Sequence, residues 1–346
     1  MIIQREVQLK PYNTFHIAAL ARYFGEIKSI EEAQTITQEK LFSENKKLVL
    51  GGGSNILLTK DFDGLVVLNS IHGIEKVQED DDHVWIKAMG GEVWHLLVLY
   101  CIENKLQGIE NLSLIPGKVG AAPMQNIGAY GVELKDVFEE LEAIEISSGK
   151  LVTFSKTDCE FGYRESIFKR KAKNQFIIAS VSLRLNKKPK LNISYGAVSQ
   201  ILEKMGVTEP SIKNVSDAVI SIRRSKLPDP DEIGNAGSFF KNPEIDAEQF
   251  ERIKNDFPNI PNYPASPVVI GGDANHKIKL SAGWLIEQCG WKGKVVGNTG
   301  AHKDQALVLV NYGNASGEKI LELSKKIQDS VNEKFRIALS SEVNII

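Results

Sequence analysis

The sequence predicts an α+β fold in about two domains. Three observations carry that expectation. The chain has 346 residues, against roughly 150 per domain. Hairpin signals and helical stretches are mixed along it, without the strict strand–helix repetition of a doubly wound parallel sheet. A breaker cluster, Pro228-Asp229-Pro230, separates a longer first part from a shorter second part.

The elements follow in order. Ser29-Ile30-Glu31-Glu32 is a capping-box pattern and predicts a helix to about Leu41. Lys47–Leu50 reads as a strand, then Gly51-Gly52-Gly53-Ser54-Asn55, then a second apolar run at Ile56-Leu57-Leu58. The acidic run Glu79–Asp82 reads as a solvated turn between two strands, the second being Val84–Ala88. Gly90-Gly91 breaks that strand, and a helix is expected from about Glu92 to Asn104. Glu142–Ile146, Ser147-Ser148-Gly149 and Lys150–Phe154 form a hairpin signal, and Phe176–Leu185 is a further strand. Ser216–Arg224 has helical spacing. Asp246 caps a helix carrying Phe250, Ile253 and Phe257. Ser281–Cys289 is a short helix that Gly290 ends. A late helix presents Ile320, Leu323, Ile327, Val331 and Phe335, and the chain closes on a strand-like stretch, Arg336–Ile346.

Composition narrows the function. Apolar residues make up 42% and charged residues 25%, and the net charge is −2. That balance argues against broad binding to nucleic acid or to an anionic membrane. No apolar run approaches a membrane span, and no secretory leader is visible. Cys101, Cys159 and Cys289 are too few and too far apart for a disulfide framework or a cysteine-rich zinc site. No H-x-x-x-H pair occurs among the histidines, so a metal site has no support.

Several segments carry chemistry. Gly51–Asn55 is either a tight strand–strand turn or a cradle for an anion; it fits neither the Rossmann fingerprint nor the P-loop. The stretch from Gly108 to Gly131 has five glycines in 24 residues and very few charges. It suits either a buried irregular loop or a backbone lying flat against a large planar ligand. Tyr163-Arg164 offers a phenol beside a guanidinium, which is either a surface arginine or a group placed for carboxylate or phosphate. Arg223-Arg224-Ser225-Lys226 suits either a diphosphate or a compensated helix C-terminus. Ser238 stands on a glycine-flanked bend, where it is either a turn residue or a proton donor to a carbanion.

Taken jointly and in this order, these segments resemble the UDP-N-acetylenolpyruvoylglucosamine reductase family. The resemblance runs from Tyr12-Asn13-Thr14-Phe15 to Ser341-Glu342-Val343. It rests on Leu50–Ile56, Ile115-Pro116-Gly117, Gln125–Gly131, Phe161–Arg164, Gly234–Pro243 and Ala282–Ile286. The Asn192–Gly196 segment looks like the longer, type I branch. The resemblance implies a two-subdomain FAD-binding module of the vanillyl-alcohol-oxidase type plus an α+β substrate-binding domain. The expected divisions are 1–70, 71–227 with strand 337–346 returning to it, and 228–336.

The resemblance also implies the site. Gly51, Gly52, Gly53, Ser54 and Asn55 would hold the FAD pyrophosphate. Gly117, Val119, Gly120, Ala122, Pro123, Gln125, Asn126, Gly128, Ala129, Tyr130 and Gly131 would line the flavin and adenine portions. Arg164, Ser238 and Glu342 would be catalytic: carboxylate clamp, proton donor, and stabiliser of the same carboxylate. Tyr163, Tyr195, Lys226, Asn242 and Gln305 would contact the UDP-sugar. NADPH would be the reductant, and the protein would be a cytoplasmic monomer. Ala121-Ala122 stands where many type I relatives have serines, and Asn344 where a relative carries Arg.

Overall fold

The computed structural model describes residues 1–188, 190–264, 269–270, 273–274 and 277–346. The chain forms two compact units. The first contains residues 1–8, 20–53 and 61–225, and the second contains 9–19, 54–60 and 226–346. Both mix helix and sheet, so the α+β class holds.

The first unit carries two sheets. One is four-stranded, in the order Ile3–Gln8, Leu20–Ile27, Phe62–Asn69, Lys46–Leu50. Its last three strands are parallel, a local crossover that the hairpin signals elsewhere did not suggest. The other is five-stranded and antiparallel, in the order Leu151–Ser155, Phe138–Glu145, Phe176–Asn186, His83–Met89, Ile74–Glu79. The central strand Phe176–Asn186 is apolar on both faces. Ile177 and Ala179 pack with Ile27, Ile36, Phe42 and Val67, whereas Ile178, Val181 and Leu183 pack with Ile86, Trp94 and Leu97. A strand buried on both faces cannot alternate, so its pattern is a continuous apolar run.

Local chemistry sets the helices. Ser29 accepts from the Glu32 amide, while the Glu32 carboxylate accepts from Lys28 rather than from the cap itself. The helix ends at Gln38 instead of near Leu41 and restarts at Lys40–Glu44. Thr35 and Thr37 bond back to the Glu31 and Gln34 carbonyls, which weakens that last turn. The helix read at Ser216–Arg224 spans Ile212–Lys226. Its start is marked by a reciprocal Ser211–Asn214 pair.

The second unit is built on an antiparallel sheet, in the order Gly234–Ser238, Val308–Asn311, Thr299–Ala301, Val295–Val296. The helix Gly317–Phe335 buries the expected Ile320, Leu323, Ile327, Val331 and Phe335. Residues 9–19 belong to this unit, whereas the residues on either side of them in sequence belong to the first. Asn13 holds them: its side chain donates to the Leu9 and Ile17 carbonyls and accepts from the Ile17 amide. Phe15 is fully buried against Phe239. The stretch expected as a strand over Arg336–Ile346 is a strand only at Asn344–Ile345, with an isolated bridge from Ser341 to Phe240. That strand pairs in parallel with Ile56–Leu57, instead of returning to residues 71–227. The Ile346 carbonyl also accepts from the Thr59 amide and hydroxyl.

Asn13→Ala would strand the buried Ile17 amide and carbonyl and remove one of two bonds to the Leu9 carbonyl, which keeps the Tyr12 amide. It is expected to cost about 2–3 kcal/mol of stability, read as an earlier midpoint in urea unfolding followed by circular dichroism.

Candidate functional site

The first unit brings the two glycine loops together. Gly52 lies so close to Gly117 that a Cβ on Gly52 would sit 2.9 Å from the Gly117 Cα. Gly120 meets Gly90 in the same way, at 3.1 Å. These loops meet main chain to main chain, so the surface they share offers peptide groups rather than side chains. Such a surface is what an approaching diphosphate requires. Val119, Ala122 and Pro123 are buried beneath it as short helical turns.

Lys118 fastens this region. Its ammonium donates to the Asn69 carbonyl at 2.6 Å and lies 3.4 Å from the Ser70 hydroxyl. Burial holds the Lys118 ammonium below the usual lysine value, while Glu26 and Glu92 pull the other way. The Asn69 side chain in turn donates to the Ile178 carbonyl and accepts from Ile71. Lys118 therefore links the glycine loop to the end of Phe62–Asn69.

Beyond it, Gly128–Ala129 and Val132–Glu133 form a hairpin closed by Tyr130 and Gly131. Both closing residues have positive φ, +49° and +82°, the two-residue turn that matches strand twist. Asn126 sits behind this hairpin, fully buried. Its side chain donates to Glu133 and to the Gly162 carbonyl and accepts from the Lys135 amide. It thus clamps the turn that carries Tyr163 and Arg164. That turn is tight: Gly162 and Glu165 exchange both main-chain bonds, at 2.9 and 3.2 Å. Arg164 has φ of +53°, a conformation that a non-glycine residue adopts only under constraint.

Arg223, read from the sequence as one of a cation cluster, turns inward. Its Nε donates to the Leu114 carbonyl at 3.2 Å. Burial pulls its guanidinium below the ordinary arginine value and Arg164 adds repulsion, while Tyr130 works in the opposite sense. Burial also pushes the Tyr130 phenol up. Tyr195 meets Tyr130 edge to face at 5.3 Å. Arg164, Arg223, Tyr130 and Tyr195 thus form one neighbourhood, a positive site suited to a carboxylate or another oxyanion. His95 is engaged structurally, accepting from the Leu114 amide at 3.0 Å.

In the second unit, Ser238 ends the strand Gly234–Ser238 just past an irregularity in its pairing. The Glu342 amide donates to the Phe239 carbonyl at 2.8 Å, and Phe240 bridges to Ser341. Glu342 and Ser238 therefore arise from paired segments, one residue apart in register. Asn55 joins them: its carbonyl accepts from the Asn344 amide and side chain. Asn242 accepts from the Ala282 amide at 3.0 Å, and Gln305 reaches the neighbouring Gly283. These two flank the start of the helix Ala282–Gln288. Lys226 is exposed at the last residue of Ile212–Lys226.

Sequence reasoning missed Lys118, the clamp made by Asn126, and the inward Arg223. Lys118 carried one usable signal, the one cation in a glycine stretch whose other charge is Glu110.

The fold and these loops define an FAD-binding oxidoreductase with a second, distinct α+β unit. The family described as FAD binding domain matches residues 21–155. That described as UDP-N-acetylenolpyruvoylglucosamine reductase, C-terminal domain, matches residues 229–346. The UDP-N-acetylenolpyruvoylglucosamine reductase of Flavobacterium johnsoniae is 51% identical over 347 residues, covering 100% of both chains. The enzyme of the same name from Pseudomonas putida is 46% identical, covering 99% of this chain and 98% of its own. The crystal structure of the Thermus caldophilus enzyme superposes with a TM-score of 0.69 at 24% identity, covering 100% of this chain and 99% of that one. This chain belongs to the UDP-N-acetylenolpyruvoylglucosamine reductase family.

The residues fit FAD: Gly52 and Gly117 approach so closely that a Cβ would fill the space between them, the backbone approach that a diphosphate cradle uses. Gly52→Ala would drive a methyl into the Gly117 backbone. It is expected to weaken FAD binding by about tenfold or more, measured by quenching of flavin fluorescence on titrating the apoprotein. Unchanged affinity would remove these loops from the cofactor site.

Proposed function

We propose that this protein reduces the enolpyruvyl group of UDP-N-acetylglucosamine enolpyruvate to give UDP-N-acetylmuramate, a step of peptidoglycan precursor synthesis, with NADPH as reductant. The full-length likeness to reductases of that name supports the substrate. The main-chain pairing of Phe239 with Glu342 supports the chemistry most directly, because it holds Ser238 and Glu342 in adjoining registers.

FAD held by the glycine loops would supply hydride chemistry at the substrate's methylene carbon. The remaining electron pair then falls on the carbon bearing the carboxylate and spreads into that group. Arg164 binds the carboxylate by its two-pronged guanidinium and so lowers the cost of that charge. Glu342 supports the same group through a shared proton or water. Ser238 delivers its hydroxyl proton to the carbon, which completes the reduction. A serine hydroxyl is a weak acid, so this step depends on preorganised neighbours rather than on acidity alone. Tyr163, Tyr195, Lys226, Asn242 and Gln305 bind the UDP-sugar.

No helix among the described residues is long and apolar enough to cross a membrane. We place the enzyme in the cytoplasm as a monomer.

The purified protein is expected to show a flavin band that bleaches with NADPH under anaerobic conditions and returns on adding the UDP-enolpyruvyl sugar. Ser238→Ala is expected to keep FAD and its reduction by NADPH while losing turnover by roughly 10²–10⁴-fold. A flavin that stays reduced when wild-type protein meets the sugar would refute this substrate. Retained turnover in Ser238→Ala would refute the proton donor.

A further inference from the structure

One buried side chain ties the Tyr130-Gly131 turn to the segment that leads into Tyr195. Asn111, in the short turn Glu110–Leu112, is 0% exposed. Its amide group donates to the Tyr130 carbonyl at 2.9 Å and to the Asn192 carbonyl at 2.8 Å. Both amide protons are thus committed to two separate stretches of main chain. The carbonyl oxygen of Asn111 is buried and makes no hydrogen bond among the described residues. A buried acceptor left unbonded is costly, so the two donated bonds are what this position selects for.

Asn192 completes the clasp. Its amide donates to the Gly131 carbonyl at 3.0 Å, and its oxygen accepts from the Ser194 amide and hydroxyl. A side chain on Gly131 would press on Asn192 at 3.3 Å. Tyr195 follows directly, at the N-cap of Gly196–Lys204, where no side chain caps the helix. It is 47% exposed. A tyrosine this exposed gains little from burial, so its placement depends on the segment before it and on the edge of the Tyr130 ring.

We propose that Asn111 is a positioning residue: by pinning Asn192 to the Tyr130-Gly131 turn it seats Tyr195, and so couples the flavin-lining loop to capture of the UDP-sugar. This rests on the reading of Tyr195 as a substrate contact. Replacement by leucine removes both bonds at similar volume. Replacement by aspartate would set an acceptor against two carbonyls and is the harsher change.

The test uses the FAD-loaded enzyme and five proteins: wild type, Asn111→Leu, Asn192→Ala, Tyr195→Ala and the Asn111→Leu/Tyr195→Ala double variant. Two quantities are read. One is the split of KM against kcat for the UDP-enolpyruvyl sugar. The other is the Kd of UDP-N-acetylmuramate, from perturbation of the oxidised flavin spectrum without turnover. Asn111→Leu and Asn192→Ala are each expected to raise KM and Kd about tenfold, with kcat held within about twofold. In the Tyr195→Ala background, Asn111→Leu should add nothing, because its effect passes through the tyrosine. Asn192 is only partly buried, so Asn192→Ala tests the clasp if Asn111→Leu does not fold.

A fall in kcat at unchanged KM, or additive losses in the double variant, would overturn the proposal. Weakened binding in Tyr195→Ala alone, with Asn111→Leu and Asn192→Ala like wild type, would overturn it while sparing the reading of Tyr195. Unchanged binding in Tyr195→Ala would overturn both.

Discussion

The first unit depends on main chain touching main chain. Where Gly52 meets Gly117 and Gly120 meets Gly90, no side chain separates the strands. A side chain at these points would push the loops apart by more than a local rearrangement absorbs, since interiors pack near crystal density. The glycines cost backbone entropy on folding, and they leave the loops with little apolar burial of their own. Stability must come from around them. Trp94 supplies part of it, buried and donating to the Leu112 carbonyl at 3.0 Å. Lys118 supplies another part by fixing the loop to Asn69. The cradle is thus held open from beneath by a packed core and by one cation on a carbonyl.

The second unit meets the same demand differently. Ser238 has no glycine cradle beneath it; it stands at the end of a strand whose pairing shifts between Asn235 and Ser238. Such shifts redirect a side chain and end a ladder. Three distant stretches of sequence stabilise this point. Asn235 bonds to Thr14, Asn311 donates to the Phe15 carbonyl, and Glu342 bonds to Phe239. The result explains why Tyr12–Phe15 and Ser341–Val343 matter together although they lie at opposite ends of the chain. They frame the two ends of one short strand, Gly234–Ser238.

Much of the fold was legible because its signals are local. Caps such as Ser29, Asp246 and Ser281 act within three residues, and the Ser147–Gly149 hairpin closes on itself. The parallel pairs of the four-stranded sheet were not legible, because a parallel partner is fixed by non-local contact and leaves no turn signature. The end of the chain was misread for a related reason. Its apolar residues suggested a long strand, but the stretch pairs in two short pieces, an isolated bridge at Ser341 and the strand Asn344–Ile345. At the site, residue types were readable and their directions were not. Arg164 was visible as a cation beside a phenol, yet its positive φ is set by the Gly162–Glu165 pairing and by Asn126 behind it. Asn111 and Asn126 sit in a stretch with few charges, and nothing in their neighbours announces that their amides are spent on three segments.

Net charge was the least informative number for the site. A sum of −2 says nothing of where the cations stand, and two of them, Arg164 and Arg223, stand close enough to repel. On a surface such a pair would be screened within about 10 Å of salt solution. Partly buried, it is not, and burial already disfavours the Arg223 charge. The Leu114 carbonyl and Tyr130 hold Arg223 in this place, and Tyr130 works against the lowering caused by burial and by Arg164. An arriving oxyanion changes the sign of the balance, because it is attracted by both cations and relieves their repulsion at once. The left-handed backbone of Arg164 and its nearness to Arg223 are the features that would preorganise this neighbourhood toward developing negative charge.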